Sequence, residues 1–368
     1  MKGALAIIFF LLIVSTVYFV LHYYVYHRIS RGLELNQKWR KAIALFFLLG
    51  GLLFILSQVS SRFYSVWIVS YIGSVWLGVI AIAFSVFIIR DIFLLIFPQI
   101  KWISTIIALA IIIIISSYSL INVLCGVRVR RLEIWLKSLP AELDGYSIVQ
   151  LSDLHLGTIN DTDWLESVVD RTNRLYPDLI LITGDLVDEE AHRIDRFREL
   201  FKNLNANDGV FAVTGNHEYF PGVEKFFQLA EQSGITVLSN SCTTLANGIV
   251  LVGLNDDVAS RFDMEGPNLH KALAGCDTAN PVILLYHRPT HFKDAVSSGV
   301  DIQLSGHTHL GQLPPMDLIV LLVFGRYAYG LRTLGDSYIY TTSGTGTWGP
   351  PMRFLSHSEI VNIILHPK

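Results

Sequence analysis

Long apolar runs separated by short polar breaks dominate the first third of the chain. Four runs, at about residues 4–26, 42–59, 66–89 and 102–125, approach or exceed the ~18–20 residues that a helix needs to cross a bilayer core of ~30 Å. Buried core helices rarely run this long without a charge, so the pattern predicts about four transmembrane helices. The first run is too long for a cleaved signal peptide, and no small-residue cleavage pattern follows it.

The third run is interrupted near its end by two charged residues, Arg90 and Asp91. The apolar character then resumes from Ile92 to Phe97 and stops at a proline. We expect the span to end near Ile89 and a short interfacial piece to follow, because the remaining stretch is too short for another crossing.

From residue 127 onward, short apolar runs alternate with amphipathic ones. The predicted strands are 127–136, 146–151, 178–183, 209–214, 248–253, 281–286, 301–304 and 337–342. The predicted helices are 162–175, 190–204, 222–233 and 289–298. Alternation of this kind predicts an α/β layered domain at 127–368, preceded by an all-α transmembrane region at 1–126.

Composition agrees with a membrane protein and excludes a nucleic-acid binder. Of the 368 residues, 52% are hydrophobic and 16% are charged, and the net charge is −3. Mean hydropathy is +0.46, and the excess lies in the first 125 residues. The arginines at 128, 130 and 131 follow a span and are typical of a juxtamembrane cluster near lipid headgroups.

The distribution of basic residues predicts the orientation in the cell membrane. Four crossings place both ends of the chain on one side, and the basic loop at 28–41 is expected in the cytoplasm by the positive-inside rule. The half from residue 127 onward is then expected to be extracytoplasmic. Seven basic residues support this placement: Arg28, Arg31, Lys38, Arg40, Lys41, Arg90 and Lys101. Six oppose it: Lys2, Arg62, Arg128, Arg130, Arg131 and Lys137.

The three cysteines do not identify a compartment. Cys125 ends the fourth apolar run. Cys242 and Cys276 could pair, but their spacing does not argue for it, and the sequence does not indicate an oligomeric state.

Polar side chains follow five predicted strands at the point where each ends. The segments are Ser152 to His155, Gly184 to Asp188, Gly215 to Glu218, His287, and Ser305 to His309. In layered α/β sheets, ligands collect beyond the carboxyl ends of strands. Residues two apart in a strand point to the same face, so Asp153 and His155 can converge on one point.

These residue types predict a metal site of two ions. Imidazole and carboxylate ligands suit Zn, Fe, Mn and similar ions, and no cysteine joins the set. There are too many ligands for one ion, whereas two ions about 3.5–4 Å apart that share a carboxylate would use them all. Such a pair lowers the pKa of a bridging water and binds phosphoryl oxygens.

In this order, Asp-x-His, Gly-Asp-x-x-Asp, Gly-Asn-His-Glu, His and Gly-His-Thr-His resemble the calcineurin-like metallophosphoesterase superfamily. The resemblance covers roughly residues 127–368. Gly311-Gln312 and the stretch from Ser343 to Arg353 resemble its bacterial membrane-associated branch. Leu310 departs from that branch, which often has a small residue there, and we expect an effect on loop packing. The resemblance implies a layered β-sandwich flanked by helices.

The resemblance also implies roles for individual residues. The first metal ion would be held by Asp153, His155 and His309, and the second by Asn216, His287 and His307, with Asp185 bridging the two. His217 would lie over the phosphate, stabilising it or protonating the leaving oxygen. Asp188 resembles the acid that orients this histidine, although an acid at a helix start is the alternative.

Other polar and aromatic residues have two readings each. Arg353 is a predicted substrate-binding residue because it follows a Gly-Pro-Pro turn, and a structural ion pair is the alternative; Arg288 is a second candidate. Trp348 either lines the pocket or packs, and Glu218 is predicted to be structural. Three further histidines are predicted to be solvent-exposed: His192, His270 and His291.

The predicted function is a multi-pass membrane-anchored phosphoesterase that depends on two divalent ions and uses a metal-activated bridging hydroxide. The alternative is a non-catalytic metal-binding scaffold of the same fold, which would be expected to lose His217 or several ligands; none is missing. The substrate is a mono-, di- or pyrophosphate ester. A lipid-linked or envelope precursor and a soluble phosphodiester both remain open.

Overall fold

The computed structural model describes residues 2–60, 66–188 and 193–368, with the side chains of 2–8, 10–11 and 58–60 left out. Arg62 and His192, which entered the predictions above, lie outside the described residues, as does the side chain of Lys2. The described chain forms two compact units. One comprises residues 1–124, 313–316 and 349–354, and the other comprises 125–312, 317–348 and 355–368.

Four α-helices form most of the described part of the first unit. They are α1 (Lys2–Gly32), α2 (Gln37–Ser60), α3 (Trp67–Ile96) and α4 (Lys101–Leu124). Among the described residues, three stretches are long and apolar enough to cross a membrane: Gln37–Ser57, Trp67–Ile96 and Pro98–Leu124. The first predicted run lies on α1, whose early side chains are outside the described set.

The third helix is longer than predicted. The sequence suggested an end near Ile89, but α3 continues without a break to Ile96. Its two charged residues are compensated within the helical unit. Arg90 is buried and donates hydrogen bonds to α4, while Asp91 forms an ion pair with Arg28 of α1 at 2.6 Å. A paired charge does not need to leave the helix for water, so the interruption in the pattern does not end the element.

The described residues of the second unit form twelve strands. They are β1 (Arg128–Leu136), β2 (Tyr146–Leu151), β3 (Leu179–Ile182), β4 (Val210–Ala212), β5 (Ile235–Val237), β6 (Ser241–Thr244), β7 (Val250–Gly253), β8 (Val282–Leu285), β9 (Ile302–Ser305), β10 (Gly330–Leu334), β11 (Ser337–Thr341) and β12 (Glu359–Pro367). All eight predicted strands are present to within two residues at each end. Four strands were not predicted: β5, β6, β10 and β12.

The strands form two six-stranded sheets, ordered β1-β12-β2-β3-β4-β5 and β10-β11-β9-β8-β7-β6. Strands β2 to β5 are parallel in the first sheet, and β7, β8, β9 and β11 are parallel in the second. Helices follow the parallel strands: α5 (Thr162–Asn173), α6 (Arg198–Phe201), α7 (Val223–Gln232), α8 (Leu269–Leu273), α9 (Phe292–Ser297) and α10 (Met316–Phe324). The predicted layered sandwich flanked by helices is confirmed.

Alternation along the strands divides the core into layers. In β3, Leu179 and Leu181 point into a cluster shared by both sheets, which includes Ile283 and Leu304. The alternate residue Ile180 points to the opposite face, which is covered by α5 and α7. Successive side chains of a strand point to opposite faces, so each central strand contributes to two layers of the core. This packing leaves only the strand ends for polar chemistry.

A disulfide joins Cys242 in β6 to Cys276 after α8. The sequence left this pairing open. Cys125 is free and exposed. The predicted solvent exposure of His270 and His291 agrees with the structure.

Candidate metal centre

The parallel strands of both sheets deliver polar side chains to one place. Loops after β2, β3 and β4 of the first sheet and after β8 and β9 of the second supply all seven predicted ligands. Asp153, His155, Asp185, His287 and His309 are buried. Burial of so many titratable groups in one spot demands a compensating partner for each of them.

The first predicted ligand set forms one cluster. His155 Nε2 lies 3.0 Å from His309 Nε2, and His309 Nε2 lies 3.4 Å from Asp153 Oδ1. The ligand atoms of the three residues lie within 4.8 Å of one another. Two imidazole nitrogens and a carboxylate oxygen therefore converge on a single point.

The second cluster is joined to the first by Asp185. His287 Nε2 lies 3.1 Å from Asp185 Oδ2 and 3.2 Å from His307 Nδ1. The same Asp185 oxygen lies 3.8 Å from His155 Nε2 of the first cluster. This carboxylate thus occupies the position between the clusters that a bridging ligand requires.

The backbone of the ligand loops is held in unusual conformations. Asp153, His155, Asp185, His307 and His309 have φ between 45° and 69°, a region that residues other than glycine rarely occupy. Such conformations persist only where the surroundings enforce them, and they concentrate at functional sites.

Two glycines permit close approach of backbone to ligand carboxylates. A Cβ at Gly215 would overlap Asp185 Oδ1, and a Cβ at Gly306 would overlap Asp153 Oδ2. Only glycine fits at either position. The glycines that precede ligands in the sequence motifs are thus explained by space around the carboxylates.

Hydrogen bonds outside the clusters fix the orientation of the imidazoles. His155 Nδ1 lies 2.7 Å from Asp188 Oδ1, and His287 Nδ1 donates to the Thr183 carbonyl at 2.8 Å. Each contact occupies Nδ1 as a donor and directs Nε2 toward the cluster, where it can bind a metal ion once it carries no proton. Partners of this kind are typical of histidines that bind metals.

The residues present fit a metal centre. Facing imidazole nitrogens at about 3 Å need a proton or a cation between them, because two lone pairs repel. Asn216 supplies an independent observation: its Oδ1 atom is buried and has no hydrogen-bond partner in the described structure. Buried polar atoms are rarely left unpaired, and an amide oxygen is an acceptable ligand for a divalent ion.

His217 lies at the edge of the clusters. Its Nδ1 contacts Asp188 Oδ1 at 2.5 Å, and its backbone N–H donates to Asp185 Oδ1 at 2.9 Å. Burial opposes a charged imidazole here, yet the carboxylates of Asp185 and Asp188 raise the pKa of His217 to about 9. Its ligand atom also lies within 4.8 Å of those of His155 and Asp185, so geometry by itself leaves both a ligand and an acid role open.

Glu218 connects two ligand turns and has the structural role expected for it. The side chain is fully buried and accepts hydrogen bonds from the backbone N–H groups of Asp185, Leu186 and Gly215. These groups belong to the turns after β3 and β4. Burial and the neighbouring Asp185 raise the pKa of Glu218 to about 7. Its two oxygens nevertheless accept from three backbone donors, so Glu218 sets the spacing between Asp185 and Asn216.

Of the two arginines considered for phosphate binding, Arg288 is the one placed at the clusters. Its Nη1 lies 3.2 Å from His307 Nε2, and its side chain pairs with Asp256. Arg353 is fully buried in the helical unit, where its backbone bonds to Ser119 and Asn122. The substrate-binding role of Arg353 stays a prediction.

Exposed aromatic rings surround His217. Phe220 and Trp348 lie 5.9 and 6.1 Å from its ring, and Phe262 lies 5.9 Å from Phe220. Trp348 therefore lines the site, the first of its two readings. Sequence reasoning missed Phe220 and Phe262; the position of Phe220, three residues after His217, was the available signal for the former.

The chain is similar in sequence to one family model and to several metallophosphoesterases. The sequence model described as "Calcineurin-like phosphoesterase" matches residues 146–311. An "Uncharacterized metallophosphoesterase" of Aquifex aeolicus is 33% identical over 66% of this chain and 92% of that protein. One of the same description from Helicobacter pylori J99 is 38% identical over 66% of this chain and 64% of that protein.

A third relative is described by its name as a transmembrane protein. A "Transmembrane protein with metallophosphoesterase domain" of Danio rerio is 37% identical over 71% of this chain and 62% of that protein. The alignments thus span less than two thirds of the Helicobacter and Danio relatives.

Proposed function

Because this chain belongs to the calcineurin-like phosphoesterase family, we propose that it hydrolyses phosphate esters at a centre of two divalent metal ions. One observation supports the proposal above all others. Asp185 Oδ2 lies 3.1 Å from His287 Nε2 and 3.8 Å from His155 Nε2, so a single carboxylate reaches both ligand clusters. When bound, the ions would activate water and polarise the phosphoryl group.

The proposed ligand sets follow the clusters. Asp153, His155 and His309 hold the first ion. Asn216, His287 and His307 hold the second, and Asp185 belongs to both. Mn, Fe and Zn all suit these oxygen and imidazole donors.

His217 is proposed to act on the substrate. Asp188 accepts from its Nδ1, so Nε2 is the atom that can hold a proton over a phosphoryl or leaving oxygen. Cations bound beside Asp185 would cancel part of the effect by which this carboxylate raises the pKa of His217. The contact between His217 and Asp188 would remain. A protonated Nε2 can stabilise phosphoryl charge or protonate the leaving alkoxide.

Arg288 is proposed to bind the phosphoryl group. A guanidinium only donates hydrogen bonds, so its present contact with His307 Nε2 needs a lone pair on that nitrogen. If His307 binds a metal ion through Nδ1, its Nε2 carries the ring proton and cannot accept. Nη1 of Arg288 is then available to a phosphoryl oxygen, while Asp256 continues to hold the rest of the guanidinium.

The site is proposed to work at a membrane. Three helices in the described part of the chain have the length and composition to cross a bilayer, so a lipid-linked or envelope phosphate ester is a reasonable substrate. The catalytic unit is proposed to be extracytoplasmic. The Cys242–Cys276 disulfide supports that side, because disulfides persist mainly in oxidising compartments.

The alternative function is a scaffold of the same fold that binds metal without catalysis. Elemental analysis and an activity screen over mono-, di- and pyrophosphate esters with Mn, Fe and Zn separate the two. We expect about two ions per chain and hydrolysis of at least one ester class. A chain that is fully loaded with metal yet inactive on every ester would support the scaffold.

Substitution of Asp185 tests the bridging role. Asp185→Ala is expected to remove activity and most of the bound metal, because both clusters lose a ligand. Asp163→Ala, which changes an exposed acid of α5, is the matched control and should keep both. Retention of two ions per chain by Asp185→Ala would contradict the bridging assignment.

A further inference from the structure

Helix α10 is apolar around most of its surface and is exposed. Its sequence is MDLIVLLVF, with Asp317 as the single charged residue. Leu318, Leu322 and Val323 are 59%, 77% and 68% exposed, and Val320 is its only buried residue. At 100° per residue, the exposed apolar positions 318, 319, 321, 322 and 323 cover about 200° of the circumference.

Water is a poor environment for such a helix. A helix that is apolar on nearly every side is normally found in a core or in a membrane, and contiguous exposed apolar patches mark interaction surfaces. At 1.5 Å per residue, nine residues extend only about 14 Å, well short of the ~30 Å bilayer core. The helix can therefore enter one leaflet but cannot cross the membrane.

The chain itself connects α10 to the helical unit. Leu313 to Met316 belong to that unit, and Leu313 packs with Ile82 of α3. Since Met316 is also the first residue of α10, the exposed helix begins where the chain leaves the helices that are able to cross a membrane. A lipid surface is thus available to it.

The other end of α10 has the residues typical of a lipid headgroup region. Arg326 and Arg332 are exposed, and Arg326 donates a hydrogen bond to the Tyr327 hydroxyl at 2.6 Å. Tyrosine and arginine are enriched where the hydrocarbon meets water, and arginine interacts with anionic headgroups. An apolar helix followed by such residues is the arrangement expected of a segment that enters a leaflet from its surface.

The last residue of α10 contacts the metal centre. The Phe324 ring packs edge-on at 5.9 Å from the ring of His307, a proposed ligand. We propose that α10 lies in the hydrocarbon of one leaflet and holds the mouth of the metal centre at the bilayer surface, where the enzyme takes an ester whose phosphate is attached to a lipid. The substrate class rests on the proposed function, whereas the insertion of α10 does not.

A second copy of this chain is the other possible occupant of the exposed surface. A flat protein surface covers one face of a helix, whereas a fluid hydrocarbon phase surrounds it. The exposed arc of about 200° favours the lipid.

Insertion is tested on the full-length chain in lipid vesicles. A nitroxide is attached at Leu322→Cys in a Cys125→Ser background, and its collisions with oxygen and with a water-soluble nickel chelate are compared. We expect strong oxygen and weak nickel collisions. The matched control is a label at Tyr176→Cys, an exposed residue before β3 at the opposite ends of the parallel strands, which should show the reverse.

Two results would overturn the insertion. One is a label at position 322 that is as accessible to nickel as the control. The other is spin–spin broadening between two labelled chains, which would assign the surface to a second copy.

The substrate class is tested by kinetics on two esters of the same headgroup, one with long acyl chains in vesicles and one with short, water-soluble chains. Leu322→Gln is expected to lower the long-to-short ratio of kcat/KM about tenfold, the effect of losing one buried leucine. Tyr176→Ser should leave the ratio unchanged. An unchanged ratio in Leu322→Gln would overturn the lipid assignment, while no activity on any ester would instead contradict the proposed function and leave the collision result standing.

Discussion

At the scale of single residues, the centre depends on which nitrogen of each histidine carries a proton. Asp188 contacts Nδ1 of both His155 and His217, so one carboxylate orients a proposed ligand and a proposed acid. The sequence pattern suggested only the second contact. The two roles predict different consequences for neighbouring substitutions.

His217→Asn should lower kcat by about 10²–10⁴-fold, the usual contribution of general acid catalysis, while both metal ions remain bound. Alkyl esters should suffer more than nitrophenyl esters, because a good leaving group needs little protonation. Steady-state kinetics on both ester types with parallel elemental analysis provides the measurement. Loss of metal in proportion to activity would show instead that His217 is a ligand.

Asp188→Asn should behave differently from His217→Asn. It removes the partner of His155 as well, and loss of such a partner typically weakens metal affinity about 10–100-fold. We therefore expect lower metal affinity together with a smaller fall in the rate of the fully loaded enzyme. Metal titration before kinetics separates the two effects, and unchanged affinity would contradict the double role of Asp188.

Metal affinity should rise with pH. Burial opposes the charged form of His287, but Asp185 raises its pKa to about 10 in the metal-free chain. The ring therefore holds a proton at neutral pH that a metal ion must displace, and displacement of one proton strengthens binding by about tenfold per pH unit. Competition titrations at three pH values between about 6.5 and 8.5 test this, with exposed His291→Gln as a control of unchanged slope. A flat profile would contradict it.

At the scale of elements, the position of the ligands depends on contacts between turns. Glu218 holds the turns after β3 and β4 through three backbone N–H groups. Leu310 destabilises its turn, because its φ of 49° is unfavourable for a leucine. Glycine adopts this left-handed conformation without the penalty, an effect separate from the loop packing expected from the sequence.

Glu218→Gln should lower the free energy of unfolding of the second unit by about 2 kcal/mol or more. The substitution replaces one of the two acceptor oxygens by an NH2 group, which cannot accept from the buried N–H donors. Metal affinity should fall as well, since the two turns carry Asp185 and Asn216. Thermal unfolding in detergent and metal titration measure both effects. The control is Glu265→Gln, which changes an exposed glutamate paired with Lys271 and should alter stability by less than about 1 kcal/mol. Equal effects of the two variants would contradict the role of Glu218 in connecting the two turns.

At the scale of the whole molecule, two features indicate the orientation in the membrane: the distribution of basic residues and the disulfide. Seven basic residues against six is a weak bias, and Arg28 and Arg90 are both paired with Asp91. The disulfide between Cys242 and Cys276 is a stronger indication of an oxidising compartment.

A reporter fused after Lys368 tests the orientation. Alkaline phosphatase, which needs an oxidising compartment, should be active in the fusion, and a fluorescent protein that folds only in the cytoplasm should not. Cys242 and Cys276 should react with a thiol reagent only after reduction, whereas Cys125 needs none. A fusion fluorescent in the cytoplasm would reverse the orientation without affecting the chemistry.

The sequence by itself determined the elements with strong local patterns and the residue types at strand ends. Apolar runs located the helices of the first unit, and short runs ending in Asp, Asn or His located β2, β3, β4, β8 and β9. Convergence of their side chains follows because the carboxyl ends of parallel strands lie at one edge of a sheet. The local sequence pattern was sufficient to predict an element wherever its consecutive residues are buried.

Only the tertiary structure decided features that depend on partners distant in sequence. The strand β12 pairs with β1 and β2, and no local signal shows a pairing between strands that lie so far apart in the sequence. Paired charges let α3 continue past Arg90, and the fold buries Arg353 completely. The exposed helix α10 belongs to the same group of features. Its apolar sequence is typical of a core helix, and only the fold shows that most of its apolar side chains are exposed among the described residues.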